Sequence, residues 1–342
     1  MNINNTLSEF FDEAPIDFCR DDKANKEIKR KIIAFLDESK IKSKYQPAME
    51  LTKQLIKCHG KKQLYQHIVE LYEVEEATMG LTGKRDHVIH ALNTFLLGVY
   101  INNLYLPPNS VDIFQWKLTA LFHDIAYPLE IAQKIIERYF EKISEIKEEL
   151  HVETYNATLN IIPQNLDKLT HNKSAFDLIQ QRVYEWGLDV NVKKRYDDMI
   201  NDNKLCHGIL SSLTVLYLID LMYQKNNPLR DNKSHNGWEQ KKFEKDIVSA
   251  CSAIFIHNLG DDAFKNIDKT KASLAYLLKL CDELQNWNRP KKKMPKGDSP
   301  ENYDVDICND KLYFKTKSED SKNRISKNIA CLNDESVKIE GV

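Results

Sequence analysis

WKLTALFHDIAYP, residues 116–128, is an apolar run of helical pattern in which an imidazole and a carboxylate stand side by side, at His123 and Asp124. Burying two hydrated side chains among apolar neighbours is costly unless something coordinates them, and a divalent cation is the simplest partner for this pair. With 10 His and 51 Asp plus Glu in 342 residues, about one or two such neighbours arise by chance, so the dipeptide draws its meaning from other residues. His87 and His90 lie upstream in KRDHVIHALNTFLLGVY (84–100), and His207, His257 and Asp282 follow downstream, each on a segment that reads as a largely buried helix.

Periodicity sets these polar groups where apolar neighbours point. His257 continues the stripe of Ala250 and Ile254, and Asp282 continues that of Ala275 and Leu278. His207 opens HGILSSLTVLYLIDL, where Gly208, Ser211 and Ser212 are small enough to leave room for a ligand beside a metal. Each histidine alone reads more simply as a hydrogen-bonded core residue, but several on separate buried helices read together as a metal site.

Outward from this centre the chain reads as mainly α. Helical spacing at 24–38 and 61–75 predicts an N-terminal helical layer within residues 1–82, while residues 1–20 show no clear period. A core over 83–290 follows, with helices at 85–104, from 111 past the His-Asp pair, at 206–225, 239–257 and 270–288. LPPNS (106–110) separates two of them, and residues 151–204 read as an insertion with short helices. Residues 296–342 form a small α+β appendage: YDVDICNDKLYFKTK (303–317) predicts a β-hairpin around Asn309–Asp310, then a helix near 318–333 and a strand at VKIEGV.

Composition narrows the function. A 42% hydrophobic, 29% charged chain of net charge −2 is a globular protein with no global attraction for a polyanion, so nucleic acid is an unsupported partner. The basic cluster Lys291, Lys292, Lys293 and Lys296 beside Trp287 and Arg289 reads as a solvated linker face, with phosphate contact as the alternative. Seven cysteines without CxxC spacing predict reduced thiols. Without an apolar run of membrane length or an export-type N-terminus, the expected location is the cytoplasm, with no membrane association.

Over residues 85–289 these motifs resemble the HD superfamily of metal-dependent phosphohydrolases, whose signature is a histidine, a later His-Asp pair and a distant aspartate. His90 looks like the first histidine, His123 and Asp124 like the pair, and Asp282 like the closing aspartate. His207 and His257 are similar to the further histidines that hold a second ion in binuclear members. His87 shares a helix face with His90 and stands as an alternative ligand or as a residue orienting the site. Tyr127 occupies the place where triphosphate hydrolases of the superfamily carry another histidine, and HDIAYPLE lacks the Gly-Tyr-Pro signature of the cyclic-dinucleotide members.

The resemblance implies an HD-domain helical bundle that hydrolyses phosphoester or phosphoanhydride bonds of a nucleotide-like substrate through a metal-activated water. It implies one or two divalent transition ions, with manganese, iron, cobalt or nickel favoured by histidine-rich ligation and zinc admissible. Asp124, His207 and Arg85 would serve catalysis, and Arg85, at the phosphate, and Tyr127 would meet the substrate. For Arg85 and Asp86 an ordinary charged helix start is an equal reading. The competing functions are an HD-type nuclease, which needs a basic groove, and a non-catalytic module that binds a nucleotide or a protein.

Overall fold

The computed structural model describes residues 2–57, 65–74, 87–150, 165–226, 239–260, 266–285, 287 and 303–341. They form a mainly helical protein with a small β-sheet near the C-terminus. The expected phosphate contact Arg85, its neighbour Asp86, and the basic cluster at 289–296 lie outside the described residues, as do 151–164 of the predicted insertion.

The centre of the fold is α5 (His87–Leu104), whose side chains are buried on every side from His87 to Ile101. Such a helix has no solvent face and must be wrapped by others. One close neighbour is α6 (Ile113–Phe122), which Asp112 caps by accepting from the Phe114 and Gln115 amides at 2.8 and 3.2 Å. The two helices meet at Gly98, where a Cβ would overlap the Trp116 indole, and Trp116 Nε1 donates to the Phe95 carbonyl at 2.9 Å.

The N-terminal layer consists of α1 (Ile3–Glu13), α2 (Asp22–Asp37), α3 (Ile41–Lys57) and the single turn α4 (Gln66–Val69). Helix α1 was not expected from the sequence, yet Ile3, Leu7 and Phe11 recur at helical spacing and are fully buried. Buried Lys117 on α6 fastens this layer to the core, donating to the Phe18 and Leu55 carbonyls at 2.7 and 3.0 Å.

On the other side lie α7 (Tyr127–Leu150), α8 (Ala175–Glu185), α9 (Val192–Asn201) and α10 (His207–Asn226). Then come a π-helical turn (Phe243–Val248), α11 (Ser249–His257) and α12 (Ser273–Leu284). Helices α8 and α9 fall within the region read as an insertion. No described helix is long and apolar enough to cross a membrane.

The appendage carries the predicted hairpin. Strands β1 (Tyr303–Cys308) and β2 (Lys311–Thr316) pair antiparallel with Val305 opposite Phe314, and the turn residues Asn309 and Asp310 take φ of 50° and 58°. Those angles are what a two-residue primed turn demands. A helix, α13 (Glu319–Asn328), crosses back so that β3 (Val337–Gly341) lies parallel to β2. The buried apolar side chains run as one connected set from Ile3 to Leu332.

Candidate metal centre

Six helix ends converge on one pole of the bundle, and each delivers one or two polar side chains. Helix α5 supplies His87 and His90 from its first turns. Helix α6 ends at Phe122, so His123 is its C-terminal cap and Asp124 sits in the turn before α7, one step beyond the helix on which the sequence placed them. Helix α7 contributes Tyr127 and Glu130, α10 begins at His207, α11 ends at His257, and α12 brings Asp282 with Gln285 immediately after it. His87, His90, His123, Asp124 and His257 are all buried.

The hydrogen bonds on the outer ring nitrogens fix what the inner ones present. His123 Nδ1 donates to the Ala120 carbonyl at 2.8 Å, and His257 Nδ1 donates to the Ile254 carbonyl at 2.6 Å. His90 Nδ1 donates to Gln285 Oε1, whose amide nitrogen is oriented by its own bond to the Trp287 carbonyl at 2.8 Å. In a neutral imidazole the other nitrogen is then a lone pair, so His90, His123 and His257 each turn an acceptor inward.

These acceptors face one another and the carboxylates. His90 Nε2 lies 3.2 Å from His123 Nε2 and 2.8 Å from Asp282 Oδ1. Asp124 Oδ2 stands 3.7 Å from His90 Nε2 and 3.5 Å from His123 Nε2, and His123 Nε2 is 3.6 Å from Asp282 Oδ1. The second carboxylate oxygen, Asp124 Oδ1, lies 3.2 Å from His207 Nε2 and 3.9 Å from His257 Nε2. The His257 Nε2 atom has no hydrogen-bond partner among the described residues although it is fully enclosed. Converging lone pairs in a dry interior are mutually repulsive, and a cation among them removes the conflict. Two ligands held about 2.1 Å from one ion at a right angle are about 3 Å apart, which suits these separations. The arrangement can therefore hold a metal ion, through groups built on His90–His123–Asp124, His123–His257–Asp282 and Asp124–His207–His257.

The charge balance fits this reading. Burial raises the Asp124 carboxyl, but His123 and His207 outweigh it and hold the group well below the usual carboxylate range. Asp282 is treated likewise by His123 and His90. Burial and the neighbouring His123 push His257 down to about 3, so its inward nitrogen stays unprotonated at neutral pH. His207 and His123 are the opposite case: burial works against each proton, yet Asp124 and Glu130 raise His207 well above the ordinary value, and Asp124 and Asp282 raise His123 above it.

Three further placements matter. His87 Nδ1 is 2.8 Å from Asp124 Oδ2, the oxygen that also faces His90 and His123, whereas His90 is the residue of this pair in the grouped set. The Tyr127 ring rests against His87 at 3.9 Å and His207 at 5.1 Å between centroids, forming one wall. The small residues of α10 do not leave open room as expected: a Cβ at Gly208 would come within 2.9 Å of the His257 ring. Ser211 accepts from the Ala126 amide at 3.0 Å, and Ser212 donates to the Cys251 carbonyl at 2.7 Å. Their size lets the helices approach and seats the His257 imidazole.

Two residues of the site carried no signal in the sequence reading. Glu130 Oε2 accepts from His207 Nδ1 at 2.7 Å, which turns Nε2 toward Asp124, and burial is overcome by His207 and Lys134 to put Glu130 at about 2. Gln285 performs the same orientation for His90. Compared with known proteins, the chain matches no family model, no curated protein and no solved structure. Its site is accordingly described by its own atoms: a buried His/Asp cluster at one pole of a helical protein, able to hold a metal ion.

Proposed function

We propose that this protein is a metal-dependent phosphohydrolase of the HD type, acting on a phosphoester or phosphoanhydride bond of a nucleotide-like small molecule. The observation that carries the reading is the split of Asp124, whose two oxygens address two separate sets of imidazole nitrogens. A carboxylate so placed can bridge two cations. His90, His123 and Asp282 would hold one ion on the Oδ2 side, and His207 and His257 the other on the Oδ1 side. The nitrogen-rich donor set favours manganese, iron, cobalt or nickel over magnesium or calcium.

When bound, such ions acidify a water for attack on phosphorus and offset negative charge on phosphoryl oxygens. The chain's own residues supply the rest. Backbone carbonyls of Ala120 and Ile254 lock the His123 and His257 tautomers, and Gln285 and Glu130 lock those of His90 and His207. His87 holds Asp124 through its contact with Oδ2, and the Tyr127 ring walls the site where a base or sugar would approach.

The test is elemental analysis of purified protein followed by assay against mononucleotides, cyclic dinucleotides, a generic phosphodiester and single-stranded DNA. Stoichiometric transition metal with turnover of a nucleotide supports the proposal. Metal-free protein that gains no activity on loading overturns it, and cleavage of DNA alone makes it a nuclease.

A further inference from the structure

Two adjoining cavities of about 250 and 690 Å³ lie beside α2 and α3, share Lys31 and Glu50 in their walls, and use no residue of the metal centre. Arg30, Phe35, Glu38 and Lys44 complete much of the smaller one, while Lys53, Lys57, Gln54 and Gln66 line the larger. Arg30 and Lys53 are paired at the rim with Glu27 and Glu73 at 2.8 and 3.3 Å.

Lys44 is the unusual member. Its side chain is 0% exposed, and its Nζ has no hydrogen-bond partner among the described residues. The contact it makes is with the face of Phe35, 4.7 Å from the ring centroid. An ammonium carries three donors and is strongly hydrated in water, so a cation–π contact replaces only part of what burial removes. Burial lowers its pKa to about 8 while Glu38 and Asp37 pull the other way, which leaves the group mostly charged at neutral pH. Glu38 and Asp37 act on the ammonium through space, but among the described residues no group accepts from its Nζ, so a buried donor beside a cavity stands unanswered.

We infer that the α2–α3 cavities bind a small oxyanion-headed metabolite, with its phosphate or carboxylate head on Lys44 and Lys31 and its body in the larger compartment. Phe35, Ala34 and Pro47 give the head group an apolar surround that strengthens each charge-assisted bond. Lys57 and Gln66 offer polar contacts to the remainder of the molecule, while Gln54 Oε1 accepts from Lys31 Nζ at 2.9 Å and holds that ammonium at the shared wall. This is a binding site separate from the metal centre, and it stands whether or not the protein hydrolyses phosphate esters.

Full-length protein is titrated with inorganic phosphate and, separately, with acetate at constant ionic strength, read by calorimetry and thermal melting. Saturable binding is expected, and Lys44→Met, which keeps the aliphatic stem, weakens it by about tenfold or more. A response to phosphate alone assigns a phosphate head, and a response to acetate alone assigns a carboxylate head. Asp124→Ala must leave the binding intact, which separates this site from anion capture at the metal centre. Should Lys44→Met fail to fold, Lys31→Gln on the cavity rim decides, with a severalfold loss expected. No saturable binding of either anion, an unchanged affinity in the folded lysine variants, or loss of binding in Asp124→Ala instead overturns the inference.

Discussion

Two polar clusters, one buried and one half-buried, sit at different places in this fold, and they are built on opposite principles. Where the appendage meets the core, Asp334 accepts from Tyr105 Oη at 2.7 Å, Tyr276 Oη at 2.8 Å, Lys269 Nζ at 3.0 Å and the Ser336 amide at 2.9 Å. One acceptor group faces many donors, and every member is satisfied within the chain. At the metal centre the members are nearly all acceptors once their outer nitrogens are accounted for, and His257 Nε2 is left with none to answer it. A closed network of this kind holds structure together, while an open one of matching sign needs something from outside. The contrast separates a latch from a ligand site without any appeal to resemblance.

Removing the hub of each cluster is the strongest way to break that contrast. Asp124→Ala takes away both oxygens that the two imidazole sets share, so metal content and turnover fall together by more than about a hundredfold, beyond the range typical of residues that only orient ligands. Retained metal and activity in this variant, by elemental analysis and assay, would abolish the open-cluster reading. The next effect is smaller because it is indirect. Glu130→Ala frees the His207 ring without removing a ligand and lowers metal affinity by about 10–100-fold, and Glu130→Gln, which keeps an acceptor oxygen, recovers part of the loss. Equal behaviour of the two variants in a metal competition assay would show that Glu130 does not act through its bond to His207.

Much of this site is legible in the sequence because its polar residues interrupt segments that are otherwise apolar. His90, His123, His257 and Asp282 stand out for that reason, and α5, α10, α11 and α12 are announced by the same apolar runs. Glu130 does not stand out: it lies on α7, a helix with many other acids on its charged face, and only folding turns it toward His207. Gln285 follows the last turn of α12 and owes its role to one contact 195 residues away in the chain, with His90. The N-terminal layer is the least legible region. Helix α1 hides three fully buried apolar residues among polar ones, and α3 carries Pro47 in its interior, a residue that normally argues against a helix. In the appendage the hairpin was visible because Asn309–Asp310 is itself a turn code, independent of tertiary context.

Acid weakens both clusters, but over different pH ranges. A metal ligand must be unprotonated, and in the metal-free chain the His207 proton is held above the ordinary histidine range by Asp124 and Glu130. The ion has to displace that proton and the one that Asp124 and Asp282 favour on His123, so affinity rises by up to about a hundredfold per pH unit until pH passes the raised pKa values and then levels off. His257, at about 3, adds no proton release at any higher pH. Metal titrations at a series of pH values read this directly, and a flat profile would remove both His207 and His123 from the ligand set.

The latch weakens in the same direction, at lower pH and by less. Burial pushes Asp334 up, but Ser336, Tyr105 and Lys269 outweigh it and hold the carboxyl well below the usual range. A carboxylate depressed in the folded state stabilises the protein above its unfolded pKa, near about 3.9, and that contribution is lost as pH falls from there through the folded value. Asp334→Ala strips the donors of four residues, Tyr105, Tyr276, Lys269 and Ser336, of their common acceptor and costs about 1–3 kcal/mol at neutral pH, with a difference from wild type that shrinks below about pH 4. Metal content should not change, since the groups bonded to Asp334 are not among those grouped around the centre. Denaturant melts of both proteins at neutral and acid pH, with metal assayed in parallel, check each half of the expectation. If Asp334→Ala loses metal as readily as Asp124→Ala does, the two clusters are one coupled system, and the appendage acts on the centre rather than merely closing over the core.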